Sequence, residues 1–223
     1  MPIAKGIQAT RWYTEDLPAG NAQNNNTVTG ISAFDTLLVP VTFFVAGTIQ
    51  AMGVYKTNTS NRTGLKARMA VYNQSTDGKP GTVLTDFGEV DLATASVGII
   101  SVNGTAVVAP GTYFLACKIE SLGTAGTHPT LIKRGLSAYD TGWCPWGFSG
   151  TYSTDFNNTA FNPIGHVAKF TLASGAFGDL SSTDPVTATT SVMWLPWYKF
   201  TPDAEGGAGW AWHGANPYWQ VMA

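Results

Sequence analysis

Gly64-Leu-Lys-Ala-Arg-Met-Ala-Val-Tyr72, the turn-rich Asn73-Gln-Ser-Thr-Asp-Gly-Lys-Pro-Gly81 and Thr112-Tyr-Phe-Leu-Ala-Cys-Lys-Ile-Glu120 decide the fold of this chain. Leu65, Ala67, Met69 and Val71 alternate with Lys66, Arg68, Ala70 and Tyr72, the period-two pattern of a strand with one face on a core. Asn73 to Gly81 stops that strand. It holds two Gly, a Pro, an Asp and an Asn, each able to supply a turn dihedral or a side-chain hydrogen bond to the turn. Pro110-Gly111 makes another turn and launches Thr112 to Glu120. There Tyr113, Leu115, Cys117 and Ile119 share one face, and Thr112, Phe114, Ala116, Lys118 and Glu120 the other. The two strands bracket an interval that reads as loop-rich, without helical periodicity. The pattern predicts an all-β, antiparallel β-sandwich.

These residues also resemble a β-sandwich module found in bacteriophage tail and other virion-surface proteins. The resemblance rests on the strand with Arg68 and Tyr72, the D-G-K-P-G run at Asp77 to Gly81 and the P-G-T-Y-F-L-A run at Pro110 to Ala116. It continues in G-x-F-G-x-L at Gly175 to Leu180, in Ser182-Thr183, and in a closing strand with Leu195-Pro196. It covers roughly Leu38 to Phe200. It implies a non-enzymatic, jelly-roll-like fold on a virus particle, usually in trimers, and it carries no fixed functional residues.

Composition suits that class. The chain has 223 residues, enough for one β domain with a full core and extensions. Only 12% are charged, about half the usual quarter, so Gly, Thr, Asn and Ser fill the polar positions. Such a surface suits wet protein contacts, sugar contacts or packing into a larger assembly. A net charge of −2 with scattered Lys and Arg argues against nucleic-acid binding, which needs clustered cations. No run approaches the roughly 20 apolar residues of a membrane helix, so no membrane insertion is expected. Met1 to Gln8 has no apolar h-region, so no secretory signal is expected either. An extracellular-looking surface without an export signal fits a virion component made in the host cytoplasm. The N-x-[ST] sequons at Asn25, Asn58, Asn61, Asn73, Asn103 and Asn157 are then not read as glycosylated.

Residues 1–30 read as an N-terminal arm, with Trp12 and Tyr13 as anchors on a neighbouring subunit, the alternative being that the arm packs on its own domain. Residues 31–200 read as the sandwich, and 201–223 as an aromatic tail that packs on a neighbouring subunit or virion protein, the alternative being that it folds back on its own domain. Thr36 to Val45 is a mostly buried strand that Pro40 forces to an edge, bulge or bend. In Thr48 to Lys56, Ile49, Ala51, Gly53 and Tyr55 alternate with Gln50, Met52 and Val54. Thr130 to Arg134 is a short strand at most. In the next strand, His166, Ala168, Phe170 and Leu172 share a side, and Ser191 to Phe200 is the last strong one. Five of the eight Trp lie between Trp194 and Trp219. Each ring would bury about 150 Å² or more given a partner, and exposed aromatic patches mark interfaces. Trp194, Trp197, Trp210, Trp212 and Trp219 are therefore interface candidates.

Trp143, Trp146, Phe148 and Tyr152 form a second candidate, a glycan patch, because a sugar's apolar face stacks on flat rings; the alternative is that they seal one end of the sandwich. The three His, at 128, 166 and 213, show no metal-ligand spacing, and Gly147-Phe-Ser149-Gly-Thr151 fails as a nucleophile elbow at its last position. No catalytic residue, metal or cofactor is expected. Cys117 reads as a buried free thiol, with a bond to Cys144 open only if the aromatic loop folds over its strand. The resulting expectation is a structural protein on a phage virion, a capsid decoration or cement protein or a tail or fibre component. It would be a homo-oligomer, a trimer, in contact with other virion proteins. The alternative is a receptor-binding module recognising host-surface polysaccharide.

Overall fold

A computed structural model of the chain describes residues 11–14, 23–27, 33–43, 45–58, 62–76, 78–93, 97–124, 126, 129–135, 168–182, 192–194 and 196–203. Among these residues there are twelve strands and no helix. They are β1 Arg11–Thr14, β2 Gln23–Thr27, β3 Asp35–Phe43, β4 Gly47–Lys56, β5 Thr63–Gln74, β6 Pro80–Asp91, β7 Gly98–Val108, β8 Gly111–Thr124, β9 Thr130–Gly135, β10 Ala168–Thr171, β11 Val192–Trp194 and β12 Pro196–Pro202. All pairings are antiparallel, and they form two sheets consistent with a β-sandwich. One sheet has five strands in the order β10-β3-β8-β5-β6. The other has seven: β1, β12 and β4 side by side, β7 on the far edge of β4, and β9 joined to β4 through Lys56 and Leu131 with β2 and β11 beside it.

The main core lies between the sheets. Val41 and Phe43 of β3, Leu65, Ala67, Met69 and Val71 of β5, and Leu115, Cys117 and Ile119 of β8 meet Ile49, Met52 and Val54 of β4, Ala106 and Val108 of β7, and Tyr198 and Phe200 of β12. Phe43 sits at the seam, its ring centroid 5.7 Å from Tyr198 and 5.0 Å from Phe200. Burying a side chain of this size contributes about 1.5–3 kcal/mol. The expected inward set of β5 is the observed one. Its other face is not open, however: Ala70 and Tyr72 join Leu38, Phe114 and Ala116 in a second core, covered by Phe170, Phe177 and Leu180. From Phe114 to Ile119 consecutive side chains of β8 are all buried, alternately in the two cores.

Four sequence expectations change, three of them in the strands of residues 31–200 and the fourth in the N-terminal stretch. The interval read as loop-rich contains two long strands, β6 and β7. Pairing of β6 with β5 shifts register three times, which breaks the alternation that would reveal it. In β4, Ile49 shares the core with Met52 and Val54, not with Ala51 and Gly53. Phe200 lies opposite Ile49 and Lys199 opposite Ala51, so Gln50 is an extra residue that inverts the phase beyond it. The last strand is two: β11 pairs with β9, and β12 pairs with β4 and β1.

Pro40 of β3 lies opposite Phe114, and β10 pairs only Asp35 to Leu38. Beyond Leu38, β3 therefore has a partner on one side alone among the described residues, where a missing N–H costs no ladder bond. Two pieces of the stretch read as an arm, β1 and β2, are strands of the chain's own seven-stranded sheet.

Candidate functional site

Four charged residues of the five-stranded sheet, Arg68, Asp86, Lys118 and Glu120, converge under one segment. After β10 the chain leaves regular structure and crosses the outer face of the sheet from Leu172 to Leu180, over β8, β5 and β6. Phe177 and Leu180 drive it down by apolar burial. An irregular backbone pressed on a sheet must still satisfy its N–H and C=O groups, and side chains of the sheet do so.

Lys118 of β8 is fully buried. Its Nζ donates to the carbonyls of Ala173 at 2.9 Å and Gly175 at 2.6 Å, and lies 4.8 Å from the centre of the Phe177 ring. Glu120, two residues on, accepts from the Gly175 amide through Oε1. Its Oε2 is 3.1 Å from Lys118 Nζ, an ion-pair contact without hydrogen-bond alignment. Dehydrating an ammonium costs several kcal/mol unless donors and charge are both matched, and here two carbonyls and a carboxylate match them. Gly175 itself sits at φ 87°, a conformation that L side chains rarely adopt.

A second clamp lies one strand over. Arg68 Nε of β5 donates to both oxygens of Asp86 on β6, at 3.0 and 2.9 Å. The Phe177 amide donates to Asp86 Oδ2 at 3.1 Å, and the Gly88 amide to Oδ1 at 2.9 Å. The Tyr72 hydroxyl donates to the Gly178 carbonyl at 2.9 Å, the Tyr72 ring meets Phe177 edge-on at 5.9 Å, and the Leu180 amide bonds the Gly81 carbonyl. Burial, and then the carboxylates of Asp86 and Asp179, push the Tyr72 hydroxyl well above its ordinary pKa, so it stays a donor. Toward solvent, Lys66 bonds Glu89 at 2.8 Å; that bond first, and the charge second, raises the pKa of the lysine, and the same bond leads the lowering of the glutamate's.

Arg68, Asp86, Lys118 and Glu120 are thus engaged in holding chain to chain. Cys117, on the opposite face of β8, is a free buried thiol whose pKa burial pushes up to about 12, which leaves it inert as a nucleophile. Among the described residues no group of His, Cys, Asp and Glu is placed to hold a metal ion.

The outer face of the seven-stranded sheet is different. Trp197 of β12 stands opposite Gly53, its ring 5.9 Å from Tyr55, and its indole N–H is buried without a hydrogen-bond partner among the described residues. Of the other interface candidates, Trp12 and Tyr13 lie in β1 opposite Lys199 and Tyr198, and Trp194 lies in β11 opposite Lys133. Trp210, Trp212 and Trp219 lie outside the described residues, as do Cys144 and the glycan candidates Trp143, Trp146, Phe148 and Tyr152. Sequence reading missed the clamp formed by Asp86, Lys118 and Glu120. The available signal was a lysine on the same strand face as Phe114 and Ala116.

No family model matches the chain, and no curated protein matches its sequence.

Proposed function

We propose that the protein is a non-enzymatic structural component of a bacteriophage virion, a capsid decoration or cement protein or a tail or fibre component, with a jelly-roll-like sandwich. One observation supports the reading best. The residues that carry the virion-module resemblance, scattered over more than a hundred positions, meet in one place: Tyr72 bonds Gly178, Gly81 bonds Leu180, and Phe114 packs in the cluster with Phe177. Arg68 reaches the same segment through Asp86. Separate turn and strand signals thereby act as one architectural signature. The chain connections agree with it: between β3 and β8 only β5 and β6 are both consecutive and paired, and the other steps cross from sheet to sheet.

The chain assembles, in this reading, as a homotrimer and with other virion proteins, through residues of the N-terminal 30 and the aromatic segment 201–223. Light scattering on the full-length chain and on a variant lacking Thr201 to Ala223 tests it. A trimer that dissociates on truncation is the expected result. A monomer in both cases would overturn the assembly reading and turn attention to glycan binding, with Trp143 and Trp146 as the first substitutions.

A further inference from the structure

The two sheet edges at the β6–β7 corner are built differently. The β6 edge carries Asp86, Glu89 and Asp91, begins at Pro80, and is interrupted by three register shifts. Charge, proline and bulges are how proteins keep an edge strand from pairing with another chain. β7 has none of the first two: Gly-Ile-Ile-Ser-Val-Asn-Gly-Thr-Ala-Val-Val, from Gly98 to Val108, holds no charged residue and no proline. Among the described residues it has a strand partner on one side only, β4. The strongly exposed large hydrophobic side chains among the described residues are Val97 at 54% and Val107 at 66%, one at each end of this strand.

We propose that β7 is a self-association edge, at which a second copy of this chain pairs antiparallel about a two-fold axis through Asn103. The side-chain pattern selects the occupant. Ile100, Val102, Ala106 and Val108 point into the core, so Ile99, Ser101, Asn103, Thr105 and Val107 line the outer face. Antiparallel pairing centred on Asn103 sets Val107 against Ile99, Thr105 against Ser101, and Asn103 against itself. Apolar then meets apolar, hydroxyl meets hydroxyl and amide meets amide, as an isologous contact requires. One edge carbonyl is already partly used: Thr85 Oγ1 of β6 donates to Thr105 O at 3.2 Å, beside the register shift that β7 carries between Asn103 and Ala106. A carbonyl has two lone pairs, so Thr105 O keeps one for a partner. The contact lies on β7, outside residues 1–30 and 201–223, and its two-fold pairing is additional to the trimer proposed above, so it persists when Thr201 to Ala223 is removed.

The test is oxidative cross-linking of the full-length chain carrying Asn103→Cys in a Cys144→Ser background. Residues directly opposite in an antiparallel pair lie within disulfide reach, so a covalent dimer is expected. Ser101→Cys mixed with Thr105→Cys should also cross-link, and an exposed control, Ser182→Cys, should not. On the otherwise unchanged chain, Val107→Lys should weaken self-association roughly tenfold or more by placing a charge against Ile99. Equal cross-linking by the control, or no dimer from a folded Asn103→Cys chain, would overturn the proposal. Should Asn103→Cys fail to fold, unchanged self-association of Val107→Lys would do the same.

Discussion

Asp86 and Phe177 stand 91 residues apart in sequence and 3.1 Å apart in space, with the carboxylate of the first accepting the amide hydrogen of the second. Because Asp86 also holds Arg68 and the Gly88 amide, one side chain ties β5, β6 and the crossing segment together. Asp86→Ala should lower stability by about 2 kcal/mol, below the full range for a buried pair because both partners keep some solvent contact. Asp86→Asn should cost less, since the amide oxygen still accepts from Phe177. Urea midpoints of the two variants check the order.

The aromatic anchor of the crossing segment is worth more than its polar contacts. Phe177→Ala should cost about 3 kcal/mol through lost burial and the cavity left between Tyr72 and Lys118. Tyr72→Phe removes the bond to Gly178 and keeps the packing, so about 1 kcal/mol is expected. Equal losses in chemical denaturation would show that the hydroxyl, not the ring stack, fixes the segment.

Lys118 and Glu120 should behave as a unit. Lys118→Met strands a carboxylate and the carbonyls of Ala173 and Gly175, and about 3 kcal/mol of destabilisation is expected. Adding Glu120→Gln should recover part of that loss. A double-mutant cycle reads the coupling, and strict additivity of the two losses would contradict the contact.

Two lysines give opposite pH signatures. Burial lowers the Lys56 ammonium below its ordinary 10.5, against the pull of Asp91. In the window between its folded value and 10.5 the unfolded chain holds more protons, so stability rises with pH there. Lys66 is raised above 10.5 by its bond to Glu89, so its contribution is present below 10.5 and is lost as pH climbs through its folded value. Lys56→Met should flatten the rise and leave the loss in place. Thermal melting of both chains across the alkaline range measures it.

What could be read from sequence was local alternation. Leu65 to Val71 and Tyr113 to Ile119 face the core as their period-two pattern requires. The phase of Met52 and Val54 was not legible, because it depends on an extra residue, Gln50, that exists only relative to the facing strand β12. The strand Pro80 to Asp91 was hidden by its register shifts for the same reason. The clamp was invisible on different grounds: the pairs Asp86–Phe177 and Lys118–Gly175 join residues that no local pattern connects. Gly175 to Leu180 could be singled out as a string of letters, but its role depends on what lies beneath it.

Because β8 turns a side chain toward a core at every step from Phe114 to Ile119, it offers substitution no neutral side. Ordinary amphipathic strands accumulate changes at every second position, and their histories show a two-residue rhythm of drift. A saturation scan read out as folding stability should find that rhythm along β7, where the side chains of Ser101, Asn103, Thr105 and Val107 lie outside the core, and should find it missing along six consecutive residues of β8.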